Sequence, residues 1–306
     1  MKYLLKIIYL SLCISSLTGC YQESPGEGRL SLGITDAPID GVTSLVISIH
    51  SVGIKPVYGD PVLIKLPETK TVDLIELQGS KFEELLYQQP VPAGRYSWVR
   101  LYIDTTSSSY TVNGTKKDLG VLTNEGGGVD VATSMEILPG GQIFAIIDVD
   151  LRTSLKLPSG DIADQYLDPD MRLIEIDDAG HISGTIKPAA INSVDCTSEH
   201  LAVYLFEGYG VTPDDYDGVS PSQNPDDRGP DAFTSALAFF NESASSATYA
   251  FGFLPPGNYT MAYTCNADLD TIDREDRRVK FLGTLDIRVY KGITTNYDFE
   301  GLNEPD

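Results

Sequence analysis

Three histidines and one tryptophan in 306 residues, with 22 basic side chains against 44 acidic ones, leave this sequence short of several groups that chemistry and nucleic-acid binding commonly use. A surface with net charge −22 repels phosphate backbones, so nucleic acid is not an expected partner. His50, His181 and His200 are the only side chains whose ordinary titration falls near neutral pH, and none lies in a recognisable catalytic motif. The G-x-S-x-G, H-E-x-x-H, C-x-x-C and P-loop patterns are all missing. After residue 20 no apolar run reaches the roughly 18–20 residues a spanning helix needs.

What is present begins with a short apolar leader. Lys2 and Lys6 precede the run from Ile7 to Ser16, and Leu17-Thr18-Gly19-Cys20 closes it. This resembles a bacterial lipoprotein signal peptide, which implies removal of residues 1–19 and lipidation of Cys20. Tyr21, standing where an aspartate would signal retention, resembles the sorting signal for the outer membrane. The resemblance implies a cell-envelope location, with the membrane as a partner through an N-terminal lipid. Cys13 then leaves with the leader, and the remaining pair, Cys196 and Cys265, is expected to form a disulfide in an exported chain. Loss of Lys2 and Lys6 leaves 20 basic residues against 44 acidic, a net charge of about −24. That acidity attracts divalent cations or cationic partners, or only keeps the protein in solution.

Strand periodicity dominates the rest, in Leu30 to Ile34, Ser44 to Ile54, Thr71 to Leu77, Arg95 to Ile103, Ile143 to Leu151 and Arg172 to Ile176. One short helix is expected at Ser80 to Gln88, where Ser80 and Glu83 make a capping-box pair ahead of Phe82, Leu85 and Leu86. The fold class is mainly β: two β-sandwich domains, with that helix in the first. Their expected extents are 29–178 and 181–301, after a leader at 1–19 and a Gly-, Pro- and Glu-rich tether at 20–28. Pro92-Ala-Gly94-Arg-Tyr96-Ser97 and Pro255-Pro-Gly257-Asn-Tyr259-Thr260 repeat P-x-G-x-Y-[ST] before a strand in each half, a turn device shared by both.

Gly28 to Val42 (GRLSLGITDAPIDGV), the strand through His50 to Val52, and Pro92 to Tyr96 resemble the bacterial domain-of-unknown-function family 4382, over roughly Arg29 to Asp178. The resemblance implies an exported β-rich domain, often on a lipoprotein, and supplies no activity. Ile182 to Ile186, Leu254 to Thr260 and Val289 to Phe299 resemble carboxypeptidase-regulatory or prealbumin-like sandwiches. Such modules space, support or bind. The acidic inserts between Gly208 and Asp231 depart from that compact pattern.

Two candidate sites follow. Clustered carboxylates can hold Ca2+, which takes six to eight oxygens. Acidic loops lie at Asp214 to Gly218, Asp226 to Asp231 and Asn266 to Asp276. In the third, Asn266, Asp268, Asp270, Asp273, Glu275 and Asp276 are the candidate ligands. The N-x-D-x-D opening resembles an EF-hand loop, but Thr271 and Arg277 occupy its glycine and glutamate positions. Ion pairing with Arg274, Arg277 and Arg278 is the competing account. Strand alternation places Tyr96, Trp98, Arg100 and Tyr102 on one face, an array able to stack on a sugar ring. The echo with Tyr259, whose face carries Met261, Tyr263 and Cys265, favours core packing instead. The expected role is non-catalytic binding or scaffolding at the cell envelope, with envelope proteins or extracellular glycans as partners. Alternatives are a calcium- or carbohydrate-dependent adhesion module, a structural periplasmic component of a larger complex, and a hydrolase using paired carboxylates.

Overall fold

The computed structural model describes residues 26–37, 39, 41–124, 126–156, 166–192, 196, 200–217, 228–270 and 278–301. Cys20 and the tether to residue 25 lie outside them, as do Asp273, Glu275 and Asp276.

Two large sheets are built from residues 27–175. The first is four-stranded, in the order Met171–Glu175, Gln142–Asp150, Glu27–Ala37, Glu83–Pro92. Its central pair, Glu27–Ala37 and Gln142–Asp150, is parallel, and the outer pairings are antiparallel. The second is seven-stranded and centres on Val42–Pro56 and Gly94–Ile103. Leu30, Leu32 and Ile34 from one sheet meet Leu45, Ile47 and Val99 from the other in a common core. Residues 180–296 form two further four-stranded sheets, with Ile182, Leu205, Tyr249 and Met261 between them. This is the mainly β, sandwich-type architecture expected from the periodicity. Cys196 and Cys265 form a disulfide, their Cα atoms 5.2 Å apart.

The expected helix at Ser80 to Gln88 is instead the start of a strand, Glu83–Pro92, paired antiparallel to the first strand. A nine-residue helix is marginal on its own. Pairing with a buried central strand satisfies the same backbone and still inserts Leu85 and Leu86 into the core. Phe82 leaves that stripe and packs on the far side of the sheet, edge-on to Phe144 and Phe253. Among the described residues the α-helices are short ones, Leu151–Ser154 and Pro188–Asn192. The strand expected over Thr71 to Leu77 ends at Asp73, whose carboxylate accepts from Ile75 N–H and caps a 3-10 turn over Leu74–Leu77.

The repeated P-x-G-x-Y motif has one physical purpose in both halves. Tyr96 Oη donates to the carbonyl of Pro92, and Tyr259 Oη donates to the carbonyl of Pro255 at 2.8 Å. Each tyrosine thereby ties the strand entry to its own turn, as tyrosine corners do in other sandwiches. Gly94 turns that corner at φ +145°, a backbone angle that a side chain resists. Tyr259→Phe should cost about 1 kcal/mol in urea unfolding by removing a hydrogen bond from a ring that stays buried. An unchanged midpoint would mean the hydroxyl contributes nothing.

Candidate functional site

The outer face of the four-stranded N-terminal sheet would meet water if the first unit stood alone; the second unit covers it. Phe82, Phe144, Ile146 and Ile174 from the first half gather with Ala179 and Phe253. Ser80 Oγ lies 3.2 Å from His181 Nδ1, which also accepts the Phe253 N–H at 3.3 Å. Burial lowers the His181 pKa and favours the neutral ring that this acceptor role needs. Phe253 holds φ +50°, uncommon for a bulky residue and fixed here by packing on both sides. A Cβ at Gly252 would fall inside the Gly79 carbonyl, so the two backbones are as close as glycine permits.

Beside this apolar joint runs a charged seam, supplied by the end of the Gln142–Asp150 strand and the helix after it. Asp150 caps that helix, accepting from Arg152 and Thr153 N–H at 3.0 and 3.2 Å. Arg152 is 3% exposed and reaches across into the second unit, donating to Ser235 Oγ at 3.0 Å and Ala267 O at 3.4 Å. Its guanidinium lies 3.9 Å from Asp270 and over the Tyr204 ring at 5.3 Å. Asp270 also accepts from Tyr204 Oη at 2.6 Å and Tyr216 N–H at 3.0 Å. Burial pushes its carboxyl up to about 6, against the pull of Arg152. Burial likewise raises Asp150 to about 6 and lifts Asp148, opposed in both by Arg172. Asp36 is also raised, well above its ordinary value: it is 4% exposed, Asp148 and Asp150 repel its charge, and among the described residues neither of its oxygens has a hydrogen-bond partner. The Leu151 N–H is near enough to lower it, short of hydrogen-bonding geometry.

Arg172 ties these groups to open space. It pairs with Asp148 and lies over the Phe233 ring at 4.3 Å. On one side of it is a water-sized void of about 10 Å3 between Asp36, Asp148 and Gly252. On another is a lobe of about 300 Å3 bordered by Asp150, Asp170 and Phe233. On the third is a cleft of about 500 Å3 with walls from both units, including Ser134, Leu173, Glu175, Phe233 and Pro255. A mostly apolar cleft between domains, with a few placed polar groups, is the usual form of a binding site.

The residues singled out by sequence are distributed differently. Tyr96 is in the core, while Trp98 and Tyr102 are half-buried on the outer face of the seven-stranded sheet. Lys55 pairs with Trp98 but Pro56 with Tyr96, so Ser97 is an extra residue, and this bulge turns Tyr96 inward. Arg100 lies between Trp98 and Tyr102, 4.7 and 6.0 Å from their ring centres, and is paired with Asp130.

Of the third acidic loop, Asp270 is buried against Arg152. Asn266 accepts from Thr264 Oγ1 and donates to Arg278 O, and Asp268 faces His200 at 3.9 Å. Asp214 and Asp215 are buried with Arg228 between them. Among the described residues no group of three or more His, Cys, Asp or Glu side chains gathers as metal ligands. Arg152, Arg172, Asp36 and Asp148 were not singled out, although Asp148 and Asp150 interrupt an otherwise apolar strand and could have signalled the seam.

Residues 27–169 match the family described as Domain of unknown function (DUF4382). The matched segment includes Asp36, Asp148, Asp150 and Arg152, while Arg172 and its strand lie just past the match. No curated protein matches the chain. Among solved structures, the chain aligns at 12% identity with the Bacillus anthracis TIE protein, covering 89% of this chain and 34% of that one, TM-score 0.19. The chain thus spans about a third of that protein's length. The fimbrial anchor protein Mfa2 from Porphyromonas gingivalis aligns at 12% identity over 81% of this chain and 82% of its own, TM-score 0.17. The major pilin from Streptococcus pyogenes aligns at 9% identity over 89% and 97%, TM-score 0.15. At those scores none of the three bears on how this domain pair works. No helix among the described residues is long and apolar enough to cross a membrane.

Proposed function

We propose that this chain is a lipid-anchored protein of the cell envelope that binds or scaffolds without catalysing, and that the cleft between its two units is the binding surface. The cleft at Arg172 carries the reading. It is open and walled by both units; Arg172 is engaged with Asp148 and Phe233 and Asp178 with Lys291, and in the adjoining lobe Asp150 is held by the helix it caps and Asp170 by Thr153 Oγ1 at 3.0 Å. Side chains held this way orient a ligand better than they move protons. The anchor rests on the Leu17 to Cys20 pattern, and the first strand starts only seven residues after Cys20. Tyr21 favours the outer membrane.

Two measurements test this. Cys20→Ser should move the protein from the membrane pellet to the supernatant, and a variant that stays in the pellet would remove the anchor. A photo-crosslinking residue at exposed Ser134, in the cleft, should yield a discrete adduct in intact cells that the same residue at exposed Thr115 does not. Equal or absent adducts would remove the cleft. A second reading, an envelope hydrolase using paired carboxylates, draws on Asp150 and Asp170 lining one lobe with Asp150 raised to about 6. Glycan hydrolysis abolished by Asp170→Asn would favour it.

A further inference from the structure

The cleft has a backbone feature that narrows what it takes, and the inference rests on the cleft being the binding surface. The Met171–Glu175 strand is outermost in its sheet and pairs on one side only, with Gln142–Asp150. Asp150 N–H donates to Asp170 O at 3.0 Å, which fixes the alternation. Arg172 and Ile174 turn their backbone groups toward the neighbouring strand, and Met171, Leu173 and Glu175 turn theirs toward the open edge. Among the described residues, nothing pairs with that outer row. The cleft follows it: one wall is the unbroken run from Arg172 to Glu175, and the other is the unbroken run from Ala132 to Met135. Lining by consecutive residues marks a groove along a backbone, since a single strand face would contribute only alternate ones.

A free edge is a template for another strand, and proteins blunt it with proline, lysine or a bulge. The edge itself, Met-Arg-Leu-Ile-Glu, has none of these. The prolines stand opposite instead, as Pro255 and Pro256 from the second unit. Glu175 sits among Asp177 and Asp178, and Lys291, paired with Asp178, offsets one of the three charges, so that end of the groove keeps a net negative charge. Arg172 does not offset it, because its charge is committed to Asp148.

We infer that the cleft takes an extended polypeptide segment, added as a strand along Met171–Glu175, with apolar side chains toward Phe233, Met135 and Pro255 and a lysine or arginine at the Glu175 end. Five residues of edge span about 16 Å, so about five residues of the guest are engaged.

The test uses the full-length protein in detergent and a synthetic pool of blocked seven-residue peptides. In these, threonine alternates with valine, isoleucine, leucine, phenylalanine or tyrosine, with lysine at each end. Amide exchange should slow at Met171, Leu173 and Glu175 when the pool is added. The same pool N-methylated at alternate residues, which keeps the side chains and removes the donors, should give no protection. Leu173→Pro deletes one outward N–H without touching the inward ladder and should weaken binding about ten-fold. Glu175→Lys should abolish the advantage of terminal lysine over glutamate. No protection by any peptide, or equal protection by the N-methylated pool, would overturn strand addition. If the Ser134 adduct still forms in that case, the cleft stands as a binding surface and only the strand mode falls; if it is lost too, both fall.

Discussion

Replacing Arg152 with alanine should cost about 3–5 kcal/mol and separate the unfolding of the two units, because it strips the counter-charge from a carboxylate with no route to water. Asp270 has a fully buried side chain, and Arg152, itself 3% exposed, is the cation beside it. The same guanidinium holds Ser235 and the Ala267 carbonyl, so one side chain from the first unit satisfies three groups on the other unit. Without it, Asp270 keeps the Tyr204 hydroxyl and the Tyr216 N–H but, among the described residues, no positive charge, and its carboxyl, already at about 6, moves further up. Adding Asp270→Asn to Arg152→Ala should recover part of the loss, since the pair acts as one unit and its energies do not add. Trp98 makes the measurement selective: it is the chain's single tryptophan and lies in the first unit. In the parent protein its fluorescence and the far-UV signal should change together in denaturant, and in Arg152→Ala they should part. Coincident transitions with a loss under about 1 kcal/mol would show that the seam does not couple the units.

The reason this seam was hard to read from sequence is that its two halves are over 80 residues apart. Ser44 to Ile54 and Arg95 to Ile103 announce themselves because alternate residues enter one local core. Asp148 and Asp150 sit in a strand of the same kind, but on the face that a lone domain would turn to water. Two aspartates there look like ordinary solvation. They become buried only because the second unit lands on that face, a tertiary event without local periodicity. The same cause explains Phe82, which helical spacing assigned to a stripe with Leu85 and Leu86. The structure uses Leu85 and Leu86 for the core and Phe82 for the joint. Tyr96 was displaced by one inserted residue, Ser97, and strict alternation cannot register a bulge. The P-x-G-x-Y echo was legible because a turn and its tyrosine are local: Pro92 and Tyr96 are four residues apart, as are Pro255 and Tyr259.

Asp36→Asn should stabilise the protein at alkaline pH and leave it unchanged in acid. Asp36 holds its proton to higher pH in the folded chain than its ordinary value near 3.8, because burial and the neighbouring Asp148 and Asp150 oppose its charge. A carboxyl raised on folding contributes stability that is complete below the unfolded value and is lost as pH rises through the folded one. Asp150 and Asp270 act in the same direction, their share disappearing between about 4 and 6, and Asp36 adds to the decline. The parent's unfolding midpoint should therefore fall as pH rises from about 4 through 6 and should continue to fall on the alkaline side. General repulsion at net charge −22 also grows over this range, but it is nearly the same in both proteins, so their difference isolates Asp36. Asparagine fits the same space and cannot ionise. At the alkaline end it avoids leaving an unpartnered charge buried, a gain on the order of 1–3 kcal/mol. At the acid end both side chains are neutral and the two midpoints should coincide. Parallel curves across the whole range would mean that the Asp36 carboxylate finds compensation in the folded protein equal to what water gives it. A variant less stable at both ends would mean instead that the protonated acid donates a hydrogen bond the amide cannot replace.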